Sequence, residues 1–433
     1  MVLWIGVDDT DSLRGMCTTF LATEIVRELT KEYDLIGYPR LVRLNPNIPW
    51  KTRGNGAICL RVGRGRGVPR SIGRIETTEV RAYPRGDDPA NPGRVEAVVG
   101  RLVERWSCLD DETTNPGFVV LHRQPAVRMY WRAVRGIVEK TEALQSAAGL
   151  GCIRQYKNGR GVIGAIAATA WRPRDRTYEI MAYRETARWG SQRNIDSESV
   201  ADMDLRFPST FNNLDRETLR IAIVPHSPCP VLFGIRGEDP QDLPAAARTI
   251  RGEGPARLMV FETNQGTDDH VVPRPTDDPL TAGVFTGKVT CAPHAIQGGH
   301  VIFRMGKREV VAYEPSKGFR RIVRELTPND RLRVVASVRD RPRVLNLEKM
   351  GIIELSKSVE KVANPLCLSC GRRMKSRGRS AGFRCGRCHR VAPVEAAAYR
   401  VVPRHVQTGW YEPPVCSRRH LSKPLKRGVP RPF

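Results

Sequence analysis

The two short runs Cys367-Leu-Ser-Cys370 and Cys385-Gly-Arg-Cys388, fourteen residues apart, constrain this chain more than any other feature. A CxxC turn presents two thiolates side by side, and two such turns complete a tetrahedral shell around Zn²⁺. Gly371 and Gly386 stand where tight knuckle turns need them. Four protein ligands leave the metal no open position, so the expected site is structural: a zinc ribbon over residues 362–395. The other reading of these cysteines is a redox dithiol. Such a pair usually stands alone on a thioredoxin-like unit, and the pattern here shows none. The remaining seven cysteines (Cys17, Cys59, Cys108, Cys152, Cys229, Cys291 and Cys416) are scattered singly. Without a secretion signal they read as reduced thiols, which places the chain in the cytoplasm.

Charge points to the partner. The 433 residues carry 71 Lys and Arg against 46 Asp and Glu, a formal net charge of +25. The excess is uneven. Eight of the cations fall between Gly371 and Arg390 with no acid among them, and eight more lie from Arg400 onward against the single acid Glu412. Residues 396–433 therefore read as a basic C-terminal tail, and the expected partner is a nucleic acid. No apolar run approaches a membrane span, and the start MVLWIGVDDTD lacks the basic and long apolar regions of a signal peptide. A membrane protein, a secreted disulfide scaffold and a fibrous chain are excluded.

Periodicity divides the chain into a multidomain α/β and α+β protein. Residues 2–7 (VLWIGV) form a continuous apolar run of strand length, suited to burial on both faces. The acidic turn Asp8-Asp9-Thr10-Asp11 follows, and then a helical pattern carrying Phe20, Leu21, Ile25, Val26 and Leu29 on one side. This first unit covers residues 1–135, and residues 83–92 read as a surface loop within it. A second unit covers residues 136–271, with strand-like RIAIVPH and PVLFGI and a helix over 240–251. A Pro/Thr/Asp-rich linker at 272–279 precedes five short alternating strands over 280–357, with a helix before the fourth. That order is the pattern of an OB-fold barrel.

The turn DDTD carries the chemistry. Three carboxylates in four residues repel one another unless a cation joins them. Hard oxygens with room for water and phosphate suit Mg²⁺. Placed after a buried strand, they are expected at the carboxyl end of the sheet, where open α/β proteins bind ligands. The next stretch, from Ser12 to Thr19, supplies Arg14, a glycine and the hydroxyl of Thr18 just before a helix, whose N-terminus attracts phosphate. Asp8, Asp9 and Asp11 are thus candidates for a nucleotide–Mg²⁺ site, beside Thr18. A second cluster, residues 41–56, adds Lys51, Arg53 and Asn55 as candidate phosphate ligands. A solvated acidic turn, a helix N-cap at Thr18 and a polar loop remain the structural alternatives. No GxxxxGK[ST] sequence occurs, which argues against a P-loop fold.

IGVDDTDS, RGMCTTF, PRLVRLNPNIPWKTRGNGA, GRGVIGAIAA, FNNLD and VLFGIRGE together resemble the archaeal tRNA(Ile)-agmatinylcytidine synthetases, and the likeness runs over nearly the whole chain. The resemblance implies an ATP-dependent C–N ligase. It joins agmatine to C2 of the wobble cytidine in an isoleucine tRNA with a CAU anticodon, which enables AUA decoding. It also implies a kinase-like first domain using ATP and Mg²⁺, then a ferredoxin-like domain, an OB-fold and a zinc ribbon. Asp8, Asp9 and Asp11 match the family's acidic motif, and Thr18 matches its phosphorylated threonine. For the guanidinium of agmatine the acids Asp215, Asp268 and Asp269 are candidates. For the extruded cytosine, Asn212, Asn213, His226 and Arg236 are candidates. Each of these seven has an equally plain reading as a loop or strand-end polar residue. A pure RNA-binding module, and a Mg²⁺-dependent phosphohydrolase, are the rival classes.

Overall fold

The computed structural model describes residues 2–378 and 380–429, without the side chains of residues 88 and 89. Arg379 and residues 430–433, counted above among the basic segments, lie outside the described residues.

The first apolar run becomes strand β1 (Leu3–Asp8), and the helical pattern becomes α1 (Thr18–Leu29). Strands β2 (Arg40–Arg43) and β3 (Gly56–Arg66) follow, then helix α2 (Pro92–Trp106), strand β4 (Gly117–Leu121) and helix α3 (Gly161–Ala170). Pro92 opens α2, and the Asn91 side chain accepts the Arg94 N–H at 3.1 Å, which satisfies one of the free donors of the first turn. Strand β1 runs antiparallel to both of its neighbours, β3 and β4. The sheet is therefore not the parallel arrangement that would put a ligand at its carboxyl edge. The acidic turn still leaves the end of β1, but its cleft is built by loops and helix starts.

Burial on both faces of β1 holds. Leu3, Ile5 and Val7 pack with Phe20, Leu21, Ile25, Val26 and Leu29 of α1 and with the apolar face of α2. Helix α3 covers the opposite face. A Cβ on Gly6 would overlap the Ala165 carbonyl oxygen, so only glycine lets this helix lie on the strand. The chain between residues 136 and 171 thus packs on the first unit's sheet. Residues 83–92 are not simply a loop, because Arg85–Pro89 is a strand paired with β3.

The second unit adds β5 (Thr177–Tyr183), β6 (Val231–Gly237) and β7 (Arg257–Thr263), with β5 paired between the other two. Helices Ser197–Arg206 and Asp242–Thr249 pack together beside this sheet, the second on the 240–251 segment read as helical. The stretch RIAIVPH is strand only at Arg220–Ile221; its remainder is loop. The two units share one 13-stranded sheet. Strand β2 is a link between them, antiparallel to β3 and parallel to β7. Arg40 of β2 meets Glu262 of β7 at 2.9 Å, with both side chains nearly buried.

Beyond the linker, β8 (Ala282–Ala295), β9 (Val301–Met305), β10 (Arg308–Ala312), β11 (Arg331–Val338) and β12 (Leu345–Glu354) close into a barrel, because β8 pairs with both β9 and β11. Helix Gly318–Arg324 precedes the fourth strand, as the sequence pattern predicts. Phe303 lies in the barrel core. The ribbon has its own small core around Cys367, Met374, Phe383, Cys385 and Ala397.

Through residue 429 the basic tail is built into the fold, which its composition conceals. Gly409–Tyr411 adds a strand to β12. The chain then crosses back to the second unit. Lys423 and Arg427 pair with Asp175 at 2.9 and 3.0 Å, Arg427 reaches Glu238 at 2.8 Å, and Leu421 is buried in the α3 core. These cations are engaged in internal contacts rather than offered to a polyanion.

Candidate functional site

A cavity of about 510 Å³ opens where β1, α1, α3, the loop after β2, the second unit and the returning C-terminal segment meet. Asp8, Asp9, Asp11, Thr18, Lys51, Arg53, Asn55, Asn212, His226 and Arg236 all line it. Residues almost a full chain length apart are thus brought to one place.

The acidic turn is tightly held. Asp9 has a left-handed backbone (φ 57°) and accepts Arg160 Nε at 2.6 Å. Asp11 accepts Arg53 Nε at 2.9 Å. Asp8 lies against α3, and a Cβ on Gly164 would overlap its Oδ2. Burial, then the neighbouring Asp9 charge, pushes the Asp8 carboxyl well above the usual carboxylate range. Burial also raises Asp9, against the opposing effect of Arg160. Asp8 alone of the three has no ion-pair partner among the described residues, a setting that favours a cation there. The three do not converge as a cage; among the described residues only the cysteine cluster does so. One or two carboxylates that share a cation with substrate phosphates match the way Mg²⁺ is usually held.

Thr18 opens α1, where Cys17 provides no side-chain cap, so first-turn N–H groups stay available to an anion. Its hydroxyl accepts a hydrogen bond from Thr10 at 3.1 Å, and both residues are buried. Arg53 spans the entrance, donating also to the carbonyls of Gly15 and Met16. Asn55 turns inward to hold the Asn45 carbonyl at 2.9 Å. Arg14 points away, exposed and paired with Asp110 at 2.7 Å.

The second unit forms the far wall. Arg236 pairs with Glu179 at 3.1 Å, Asn212 Oδ1 accepts Arg418 at 2.8 Å, and His226 Nε2 lies 3.1 Å from Arg220. Three acids and one amide expected at the substrate do not reach the cavity lining. Asp215 accepts the Glu217 N–H in a turn, and Asp268 joins Lys349 at 2.5 Å. Asp269 accepts the Tyr130 hydroxyl at 2.5 Å, and burial lifts its carboxyl to about 6. The buried amide Asn213 likewise serves Asp204 and Thr210. These contacts anchor the four side chains within the fold, to a neighbouring turn N–H, a barrel strand and two helices.

Several lining residues were not legible as site residues. Among the described residues, Glu179 is the only acid of the lining outside the acidic turn. Arg160 sits in the GRGVIGAIAA stretch, whose glycines were the available signal. Arg43 lies in the cluster 41–56, whose mix of cations, amides and glycines was its signal, whereas the C-terminal Arg418, Arg419 and His420 gave none, since the tail reads from composition as charge without position.

The four cysteine sulfurs lie within 4.8 Å of one another, with Cys367–Cys388 at 3.3 Å and Cys370–Cys385 at 3.5 Å. Four thiolates at roughly 2.3 Å from one ion require sulfur spacings of this order, so the set fits structural zinc.

This layout defines an enzyme with its reaction cleft between two α/β units that share a sheet, extended by a barrel and a metal-binding ribbon. Three domain families match the chain: the TiaS TCKD domain over residues 4–158, the TiaS FLD domain over 159–270 and the TiaS C-terminal zinc ribbon domain over 364–406. The chain belongs to the TiaS family, the 2-agmatinylcytidine synthetases of the second isoleucine tRNA. The Archaeoglobus fulgidus TiaS is 40% identical, covering 99% of this chain and 98% of its own, and the Methanocaldococcus jannaschii TiaS is 37% identical over 98% and 99%. The crystal structure of a TiaS complex with that isoleucine tRNA and ATP matches with a TM-score of 0.83 at 38% identity, covering 99% of this chain and 98% of that one. A TiaS complex with the same tRNA, AMPCPP and agmatine matches with a TM-score of 0.82 at 35% identity over the same shares.

Proposed function

We propose that this chain uses ATP to attach agmatine to C2 of the wobble cytidine of isoleucine tRNA, with the chemistry in the cavity around Thr18. The reading rests above all on one arrangement: a buried threonine hydroxyl at a helix N-terminus, beside the carboxylates of Asp8 and Asp9, in a cleft shared with the second unit. A relative bound to its isoleucine tRNA, AMPCPP and agmatine supplies the substrates.

The C2 oxygen of cytosine leaves poorly. Transfer of the γ-phosphoryl group of ATP to that oxygen makes it a good leaving group. The neutral amine of agmatine then forms the C2–N bond as the C2–O bond breaks and phosphate departs, and the amine loses a proton. In this scheme the first unit is the kinase-like domain, and Thr18, which matches the family's phosphorylated threonine, takes a phosphoryl group from ATP in a separate transfer. Asp8 and Asp9, with Asp11 beside them, would hold Mg²⁺, which would offset charge on the transferred group. Arg53 and Arg160 orient the carboxylates and face the phosphates. The second unit is the ferredoxin-like domain that receives the flipped base, with Asn212, His226 and Arg236 on its wall. The OB-type barrel and the ribbon hold the rest of the tRNA in the cytoplasm, where that substrate is found.

The test is to incubate the protein with the isoleucine tRNA, ATP, Mg²⁺ and labelled agmatine, then weigh the digested nucleosides by mass spectrometry. A cytidine carrying agmatine at the wobble position is expected. Thr18→Ala should lower product at least about a hundredfold while tRNA affinity stays near that of the parent. Full turnover in this variant would remove Thr18 from the mechanism.

A further inference from the structure

The cavity is not electrically balanced. Arg43, Lys51, Arg53, Arg160, Arg220, Arg236, Arg418 and Arg419 line it, against the acids Asp8, Asp9, Asp11 and Glu179. Arg53, Arg160 and Arg236 each pair with one of those acids, and Arg418 and Arg419 pair with Glu412 and Glu348 outside the lining. Arg220 is engaged with His226. Arg43 and Lys51 remain: among the described residues neither is in an ion pair, their side chains donate to the carbonyls of Gly54 and Pro46, and the charge of Glu179 also acts on Arg43.

These two cations share one corner with the C-terminal segment. The Arg43 guanidinium lies across the turn at Gly54, donating to the Gly54 carbonyl at 3.4 Å. A Cβ built on Gly54 would stand 2.5 Å from Arg43 Nη1 and 3.5 Å from His420 Nε2, so both side chains face the same small space. Lys51 Nζ and Arg419 Nη1 converge on the Pro46 carbonyl, Arg419 at 3.1 Å. Arg43 Nε is buried without a partner. His420 is solvent-exposed on this wall, and its imidazole can donate one hydrogen bond into the same space. Cations crowded at low dielectric repel one another, and an anion among them reverses the sign of that energy.

We propose that Arg43, Lys51 and His420 form an anion subsite for a backbone phosphate of the RNA strand that carries the reacting base. This inference rests on the proposed function and locates one part of its substrate. The C-terminal segment, after crossing back from the barrel, is then a wall of the reaction site. A base swung out of its stack drags its flanking phosphates toward the protein, and a fixed cation pair beside the cavity holds that displaced strand. The other source of the same chemistry is the triphosphate of ATP.

The experiment measures binding of the isoleucine tRNA over a salt series, and KM for ATP and for tRNA, for the parent, Lys51→Gln and Arg43→Gln. Arg43 and Lys51 are both half-buried, and two separate variants guard against a folding defect in either one. Each variant should bind tRNA about tenfold more weakly and lower the slope of log affinity against log salt by about one. A tRNA with neutral methylphosphonates flanking the wobble cytidine should bind parent and Lys51→Gln alike. Unchanged tRNA affinity and slope, with KM for ATP raised, would assign the corner to the triphosphate and overturn the proposal. Unchanged values throughout would overturn it too. Binding does not depend on turnover, so a parent protein that binds tRNA but incorporates no agmatine refutes the proposed function instead.

Discussion

Thr10 Oγ1 donates a hydrogen bond to Thr18 Oγ1 across 3.1 Å, with Thr10, the one uncharged member of the acidic turn, fully buried. The bond occupies one lone pair of the Thr18 oxygen and fixes its rotamer, leaving its own proton directed elsewhere. Thr10 is a positioning residue. Thr10→Val keeps the shape and removes the donor. ATP-dependent turnover should fall about tenfold, Thr10→Ser should restore it, and thermal stability should change little. Equal activity of the valine and serine variants would dismiss the role.

Gly164 has a comparable duty toward Asp8. A methyl group there would overlap the Asp8 carboxylate, and that carboxylate, a movable side chain, is what gives way. Gly164→Ala should therefore cost about 1–2 kcal/mol of stability but on the order of a hundredfold in ATP-dependent turnover, measured by denaturant unfolding beside phosphate release. A variant that loses stability and keeps its rate would separate Asp8 from the chemistry.

Glu348 ties the returning C-terminal segment to the barrel, accepting His270 Nε2 at 2.8 Å and facing Arg419 at 3.1 Å. Against its burial, Arg419 and His270 pull its carboxyl down to about 2. A depressed carboxylate contributes stability above its unfolded value near 4.5, and that stability is lost as the pH falls through about 2. Glu348→Gln should be less stable than the parent by about 2 kcal/mol at about pH 6, and the gap should narrow between about pH 4.5 and 2. Denaturant midpoints over that window decide it. A gap independent of pH would mean the residue acts through packing alone.

The ribbon's core is separate from the barrel's and from the cavity. Chelation, or Cys367→Ser, should release one zinc per chain by elemental analysis and weaken tRNA binding. ATP binding at the distant site should persist. Zinc content unaffected by Cys367→Ser would defeat the cysteine assignment.

Local chemistry made much of this protein readable in advance. A CxxC pair commits its ligands within a few residues of one another, and the ribbon follows. The apolar period of α1 and the alternation of the barrel strands follow equally, because burial of one face is a property of the segment itself. The acidic turn next to Thr18 is contiguous, so its proximity to the helix start was legible too. The placements that could not be read share a cause. Asp268 and Asp269 look like a ligand pair, yet their partners Lys349 and Tyr130 come from distant parts of the chain, and those contacts occupy them. Glu179 and Arg236 lie on neighbouring strands, where only the register of β5 against β6 sets them side by side. Charge could be counted in the C-terminal segment but not located. Whether Arg418 and His420 faced solvent, a polyanion or the cavity was decided by the pairing of Gly409–Tyr411 with β12 and the burial of Leu421, interactions between segments that no local pattern encodes.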